Sequence, residues 1–323
     1  MSNRSHAFNT ILLIVLSIIW GSQFALNSIV LESVPPFFLA TVRVIIGAMT
    51  LCILTIFFEK KETYVKHKSV VFNKKLVILY ILIAILETLI PMTAITYGQS
   101  QNVPSSITGI LMGTIPLFVI LLSYFFYPKE EKKVVTLFSI LVGFVGLIVL
   151  FLPKIVLNEQ NSLMGEFFVL LGAFSFALSL VLIGLMPAKL SPLRMTRNIL
   201  LISSTLMFII LISTFPKILV TDWVTYFWII ILGVFASGVG YFIYVKLVEK
   251  AGVTYTSFTN YVAPLISTLI GILFLKEAFE MTTLFALIFI LFALILKNFS
   301  EWNMLLTIKK LFRLKYERNN TKV

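Results

Sequence analysis

Long apolar segments are the feature of this sequence that most restricts its fold. A helix needs about 20 apolar residues to cross roughly 30 Å of hydrocarbon. By that criterion the 323-residue chain contains ten candidate spans, at residues 8–31, 36–58, 76–98, 103–127, 134–152, 164–185, 197–215, 223–245, 255–275 and 281–297. Because a backbone in lipid must satisfy its own hydrogen bonds, the sequence predicts an all-α integral membrane protein with ten transmembrane helices.

The composition supports this class and argues against a soluble one. Hydrophobic residues make up 59% of the chain and charged residues only 12%, which is outside the usual range of soluble domains. A formal charge of +12 would suggest nucleic acid in a soluble protein. Here the basic residues lie between the apolar segments and after the last one, so they indicate orientation instead. We therefore expect a lipid bilayer as a partner, and no nucleic acid.

The distribution of lysine and arginine predicts the topology. With ten spans, both termini lie on one side of the membrane, and that side carries 22 of the 26 basic residues. The other side carries Lys154, Lys217 and Lys276, and Arg43 lies within the second span. Because basic loops are retained in the cytoplasm, we predict a multi-pass protein of the cell membrane with both termini cytoplasmic.

The chain also looks duplicated. Residues 93–116 can be laid over residues 241–264 at an offset of 148 positions, proline on proline, and a Lys-Glu pair follows each stretch, at Lys129-Glu130 and at Lys276-Glu277. Five spans per half is an odd number, so the second half is expected to be inverted. The predicted organisation is a cytoplasmic start (1–7), a first repeat (8–152), an extracytoplasmic linker (153–163), a second repeat (164–297) and a basic cytoplasmic tail (298–323).

Several short sequence motifs occur in a set order along the chain. They are Trp20-Gly21-Ser22, Pro36 followed seven residues later by Arg43, the stretch from Gly109 to Glu130, Gly143 with Gly146, and GVFASGVGYFIYVKLVEKAG at 233–252. Over residues 8–297 the sequence resembles the EamA-type branch of the drug/metabolite transporter superfamily. That resemblance implies a single-chain carrier that moves small organic metabolites, such as amino acids, and also drugs, often out of the cell. The chain departs from the family at Ser175-Phe176, where a tryptophan is frequent, and at Glu87.

Arg43 and Glu87 are the charged residues that we place deep in the membrane. A charge there costs a few kcal/mol, so it should face a cavity or a partner. On one interpretation Arg43 binds a substrate carboxylate, and Glu87 binds a cationic group or a proton. On the other, the two form a buried ion pair that fixes helix packing. Both interpretations stay open at this point.

Six further polar or aromatic residues complete the predicted substrate site. Trp20, Gln23 and Asn27 fall on or beside one face of the first span, which should look inward because it is costly against lipid. Tyr97, with its neighbour Gln99, and Tyr241 lie in or near the duplicated stretches, and Asn260 precedes the kinking residue Pro264 by one turn. The alternative for the first-span residues is hydrogen bonding between helices. For the others the alternative is that the nearby prolines only shape the helix.

Other function classes are poorly supported by the sequence. The one aspartate, Asp222, and the two histidines, His6 and His67, lie outside the spans. No metal site, cofactor or enzymatic activity is therefore expected, and no phosphate-binding loop of an ATPase is present. We expect a secondary transporter that exports small metabolites, and a monomer because a duplicated chain completes its own site. Import or exchange, a channel, and a membrane-embedded enzyme are the alternatives, and proton coupling and facilitated transport both fit.

Overall fold

A computed structural model describes residues 3–58, 74–126, 134–156, 160–184, 186, 191–214, 222–251, 253–256, 258–278 and 280–296 of the chain. Every regular element in those ranges is a helix. In chain order they are α1 (Asn3–Leu31), α2 (Pro36–Phe58), α3 (Lys74–Ser100), α4 (Ser105–Met112), α5 (Ile115–Phe126), α6 (Val134–Val156), α7 (Gln160–Ile183), α8 (Pro192–Thr214), α9 (Trp223–Ala251), α10 (Val253–Thr256), α11 (Thr259–Phe274) and α12 (Met281–Leu296). The Lys129-Glu130 pair and the predicted basic tail lie outside the described residues.

The bundle exposes many large apolar side chains and buries many polar ones. On α1, Ile11 and Ile18 are exposed, whereas Ser17 and Asn27 are completely buried. This arrangement is stable only where lipid replaces water around the helices. Seven helices of the described part are long and apolar enough to cross a membrane, and three shorter apolar helices accompany them. The predicted all-α, multi-span fold is confirmed, while the count of ten crossings stays a prediction.

One of the predicted spans is not a single regular helix. The fourth, expected over 103–127, is interrupted between α4 and α5 at Gly113 and Thr114. Pro116 has no N–H, so the carbonyl of Met112 loses its usual donor four residues on. The Thr114 hydroxyl turns back to donate to the carbonyl of Leu111 at 2.6 Å. Residues 105–122 nevertheless form one apolar segment long enough to cross a membrane. The ninth predicted span, 255–275, is covered for the most part by α11.

Two helices contain a π-helical segment at matching positions. In α3 it covers Ile85–Leu89, and in α9 it covers Leu232–Val239. Residues 85–89 moved by the 148-residue offset of the duplication fall on 233–237, inside the second segment. Such segments interrupt the regular ladder of backbone hydrogen bonds and occur often at functional sites. The sequence pattern did not predict either one.

In each π segment, a side chain from another helix donates a hydrogen bond to one backbone carbonyl oxygen. The indole Nε1 of Trp20, on α1, donates to the carbonyl oxygen of Ala236 at 3.2 Å. The hydroxyl of Ser175, on α7, donates to the carbonyl oxygen of Leu86 at 2.8 Å. Ser175 is one of the two residues at which the chain departs from the family's tryptophan. The hydroxyl thus makes the same kind of bond in the second half that the indole makes in the first.

The helices of the two sequence halves interleave in the bundle. α1 packs on α11, α2 on α8 and on the π segment of α9, α3 on α7, and α4 on α11. Small residues allow these close approaches. A Cβ atom placed on Gly47 of α2 would lie 2.5 Å from the Cβ of Ser237, and one on Gly238 of α9 would lie 2.6 Å from the Cβ of Thr50. The backbones of α2 and α9 are therefore in direct contact.

We expect Gly47→Ala to lower stability by about 1–3 kcal/mol, because the added methyl group overpacks the contact between α2 and α9. Gly172→Ala is the matched control, since the nearest atom to its new Cβ is 3.4 Å away. The measurement is the thermal unfolding midpoint of the detergent-solubilised protein. Equal midpoints for the two variants would contradict the close packing described here.

Candidate functional site

A cavity lies among α1, α2, α3, α4, α5, α7, α9 and α11. Its polar or amphipathic lining residues are Trp20, Gln23, Arg43, Tyr241 and Asn260. The rest of its wall is formed by Phe24, Pro91, Met92, Ile95, Gly109, Met112, Gly113, Ile115, Phe176, Ala236, Ala263 and Pro264. Arg43 is thus the one charged residue among the described lining residues, in a wall that is otherwise mostly apolar.

Arg43 is held by neutral side chains only. Its Nη2 donates to Oε1 of Gln23 at 2.7 Å, its Nη1 to Oδ1 of Asn27 at 2.9 Å, and its Nε to Oγ of Ser237 at 3.2 Å. The residue is only 1% exposed. Within the described part of the chain no carboxylate pairs with it. A buried positive charge with neutral partners favours a negatively charged ligand.

A second layer of hydrogen bonds holds this arrangement in place. Asn27 donates through Nδ2 to Oε1 of Gln99 at 3.0 Å. Gln99 in turn donates through Nε2 to the carbonyl of Phe24 at 2.8 Å and to the hydroxyl of Ser28 at 3.0 Å. The amide orientation of Asn27 is therefore fixed by α3, and it presents its oxygen to Arg43. Asn27 supports the site from behind the cavity wall.

Trp20 forms an aromatic cluster at the cavity. Its ring centroid lies 5.9 Å from that of Tyr241 in an edge-on arrangement and 5.4 Å from that of Tyr244. Its only N–H is engaged with Ala236 on the π segment. A Cβ on Gly240 would lie 2.7 Å from Nε1 of Trp20, so glycine is needed there for the indole to approach. Trp20 can therefore offer its ring to a ligand and has no free donor.

Glu87 lies behind the cavity wall, on the π segment of α3. It is 4% exposed, and within the described residues its Oε2 atom is buried without a hydrogen-bond partner. Tyr241 and Tyr244 lie within electrostatic range of it. Arg43 and Glu87, both described, form no ion pair with each other. The structure therefore does not contain the buried ion pair that was one of the two interpretations of these residues.

Five of the eight predicted substrate-site residues line the cavity: Trp20, Gln23, Arg43, Tyr241 and Asn260. Tyr97 does not. It is 39% exposed and packs edge-on against Phe168, with ring centroids 4.7 Å apart. Ile95 of the same helix lines the cavity, and a residue two positions further on points about 200° away from it. The position of Tyr97 gives no support to a role in binding.

The sequence pattern did not indicate every residue of the site. Ser237 contacts Arg43 from within a run of small residues, and nothing in that run distinguishes it from a packing position. Phe176, Met92 and Met112 line the cavity itself. In a chain this apolar such side chains are the rule in every span. Gln99, named together with Tyr97, does not line the cavity but belongs to the hydrogen-bond network that holds Asn27.

Comparisons with known proteins agree with this architecture. A Bacillus subtilis protein named as the uncharacterized transporter YoaV is 28% identical over 167 residues, covering 52% of this chain and 54% of its own length. The Escherichia coli K12 protein YedA, named as an inner membrane transporter, is 28% identical over 165 residues, covering 51% and 49%. The chain therefore spans about half the length of these relatives. A WAT1-related chloroplastic protein of Arabidopsis thaliana is 24% identical over 292 residues, covering 88% and 68%.

A solved structure shares the fold. A protein known by crystal structure superposes with a TM-score of 0.61 and 16% sequence identity, covering 92% of this chain and 99% of its own. The EamA-like transporter family matches the sequence over residues 8–152 and again over 163–299. Those two ranges together take in nearly every helix described above. The chain is accordingly a multi-pass integral membrane protein that belongs to the EamA-like transporter family.

Proposed function

We propose that this transporter exports small organic metabolites that carry a carboxylate, such as amino acids and related compounds, by alternating access around the central cavity. The observation that carries the proposal is Arg43, a buried guanidinium on the cavity wall whose partners are all neutral. A guanidinium has five N–H donors, and three are directed at Gln23, Asn27 and Ser237. A carboxylate would neutralise the charge and take up donors that remain, at favourable charge-assisted distances.

The apolar wall argues for a substrate with an apolar or aromatic body. Met92, Met112 and Phe176 line the cavity together with the ring of Trp20. Methionine and aromatic side chains accommodate varied apolar shapes, so drugs with an acidic group fit the same site. Enzymatic activity is not proposed, because the relatives are named as transporters.

Location and direction are proposed on separate grounds. The excess of basic residues on one side favours the cell membrane with both termini cytoplasmic. Outward transport follows the family resemblance, and the duplicated π segments of α3 and α9 favour alternating access through two exchangeable halves. A monomer is proposed because one chain supplies the whole cavity wall. Import or exchange through the same cavity is the alternative.

Arg43→Ala should reduce transport of the substrate by about 10- to 100-fold, since a charged hydrogen-bonded contact contributes about 1.5–3 kcal/mol. Transport by Arg43→Lys should lie between that of the wild type and that of Arg43→Ala. Lysine keeps the positive charge but lacks the planar guanidinium group that can make paired hydrogen bonds. Arg197→Ala is the control, because Arg197 bonds its neighbour Asn198 and lies outside the cavity. Metabolite profiling of medium and cells identifies the substrate, and counterflow in proteoliposomes measures its transport.

The outcomes of that experiment separate the competing functions. A metabolite enriched outside and depleted inside, with wild type and Arg197→Ala but not with Arg43→Ala, supports export. Accumulation inside the cells reverses the direction. Flux that neither saturates nor shows counterflow indicates a channel. Equal flux through Arg43→Ala and wild type rejects the carboxylate site.

Proton coupling is a second candidate, favoured by the unpartnered buried oxygen of Glu87. A proton-linked carrier would use this carboxyl as its titrating group, so Glu87→Gln should abolish the pH dependence of transport and leave downhill flux in place. Glu249→Gln is the control, because Glu249 is exposed at the end of α9 and pairs with Lys246. Transport measured across a range of pH decides the matter. A Glu87→Gln variant with the wild-type pH profile would leave facilitated transport or exchange.

A further inference from the structure

The carboxylate of Glu277 binds the beginning of α4. Its Oε1 accepts the backbone N–H of Ser105 at 2.6 Å, and its Oε2 accepts that of Ser106 at 3.0 Å. The first N–H groups of a helix have no partner within the helix, and the helix dipole favours a negative charge there. Glu277 follows α11 in the second half of the sequence, whereas α4 belongs to the first. The contact therefore joins the two halves at one end of the bundle.

The backbone around Glu277 is shaped for this contact. Lys276 has a positive φ of 54°, a conformation uncommon for a residue with a side chain. The N–H of Glu277 donates to the carbonyl of Gly271 at 3.0 Å. A Cβ on Gly271 would collide with Oε2 of Glu277, so glycine leaves the space that the carboxylate occupies. The positive φ of Lys276 and the missing side chain of Gly271 together allow the Glu277 carboxylate to reach the start of α4.

The contact lies directly beyond one end of the cavity. Next to it, the hydroxyl of Ser267 on α11 donates to the carbonyl of Ser105 at 2.7 Å. Gly109 of α4, as well as Ala263 and Pro264 of α11, then line the cavity. They lie three or four residues from Ser105 and Ser267, about 5–6 Å along each helix. The layer formed by Ser105, Ser267 and Glu277 thus closes the cavity between α4 and α11.

We propose that Glu277 and the first turn of α4 form a latch that holds this end of the cavity closed and releases when the cavity opens there. Glu277 does not line the cavity, so the latch acts on the balance between conformations and not on substrate contacts. Breaking it shifts the population toward the state open at this end, by the free energy of the two charge-assisted bonds. The inference does not depend on which metabolite is carried.

The test uses the full-length protein in proteoliposomes with a cysteine in the cavity, Ala263→Cys, after Cys52→Ala removes the native thiol. A membrane-impermeant maleimide is applied to each face in separate experiments. Glu277→Gln should raise the labelling rate from the face where α4 begins by about tenfold or more, because it removes the charge from two hydrogen bonds. Glu280→Gln is the control, an exposed carboxylate in the same loop that accepts a bond from Thr282, and should label like its parent.

A second variant weakens the latch from the other side. Ser105→Pro removes one of the two N–H donors and leaves the carboxylate unchanged. Proline is tolerated at the first position of a helix, and Pro104 before it has φ −56° and ψ 150°, the region that a residue preceding proline prefers. Labelling from the same face should rise, by less than in Glu277→Gln.

The result that overturns the latch is unchanged labelling in folded, monodisperse Glu277→Gln and Ser105→Pro proteins. A rise that occurs equally in Glu280→Gln also overturns it. If Glu277→Gln does not fold, Ser105→Pro decides alone. If neither folds, the contact is a structural requirement and not a latch. No substrate enters these measurements, so they stand apart from the transport assays.

Discussion

The guanidinium of Arg43 organises the centre of this bundle. A charge inside an apolar helix bundle is tolerated only where its donors are satisfied, and here the acceptors come from two other helices, Gln23 and Asn27 from α1 and Ser237 from α9. Through Asn27 the network reaches Gln99 and thereby α3. Four helices must therefore hold fixed positions for one charge to remain buried. The same requirement leaves a positive potential at the cavity wall, because none of these partners carries a negative charge.

Close contact between the backbones of α2 and α9 allows the hydrogen bonds of Arg43 to form. Ser237 can accept a bond from Arg43 because Gly47, one helical turn further along α2, lets the two backbones approach. Gly240 plays the same part for Trp20, whose indole could not reach the π segment past a larger residue. The charged site and the aromatic cluster thus depend on residues that have no side chain of their own. Helix packing and ligand chemistry are consequently difficult to alter independently in this protein.

The sequence predicted the parts of this site that follow from the cost of polarity in lipid. Arg43, Gln23 and Asn260 could be assigned inward because a polar group in an apolar span needs a protein environment, and all three line the cavity. The fold class followed from span length alone. Tyr97 lies outside the cavity wall, because a position near a duplicated stretch does not determine which face of the helix a residue occupies. The π segments and the contact of Glu277 with α4 could not be predicted, since they depend on local backbone geometry and on the tertiary approach of distant segments.

The π segment of α3 has a geometric consequence for the cavity wall beyond it. A π turn holds one more residue than an α turn, and each residue advances a regular helix by about 100°. If the Ile85–Leu89 segment reverted to a regular helix, the following residues would rotate by about that angle relative to the residues before it. Pro91, Met92 and Ile95, which now line the cavity, would turn away together. The π segment therefore determines which face of the following part of α3 is turned toward the cavity. A shift of one residue within the segment would rotate a different face into the cavity without displacing the helix axis.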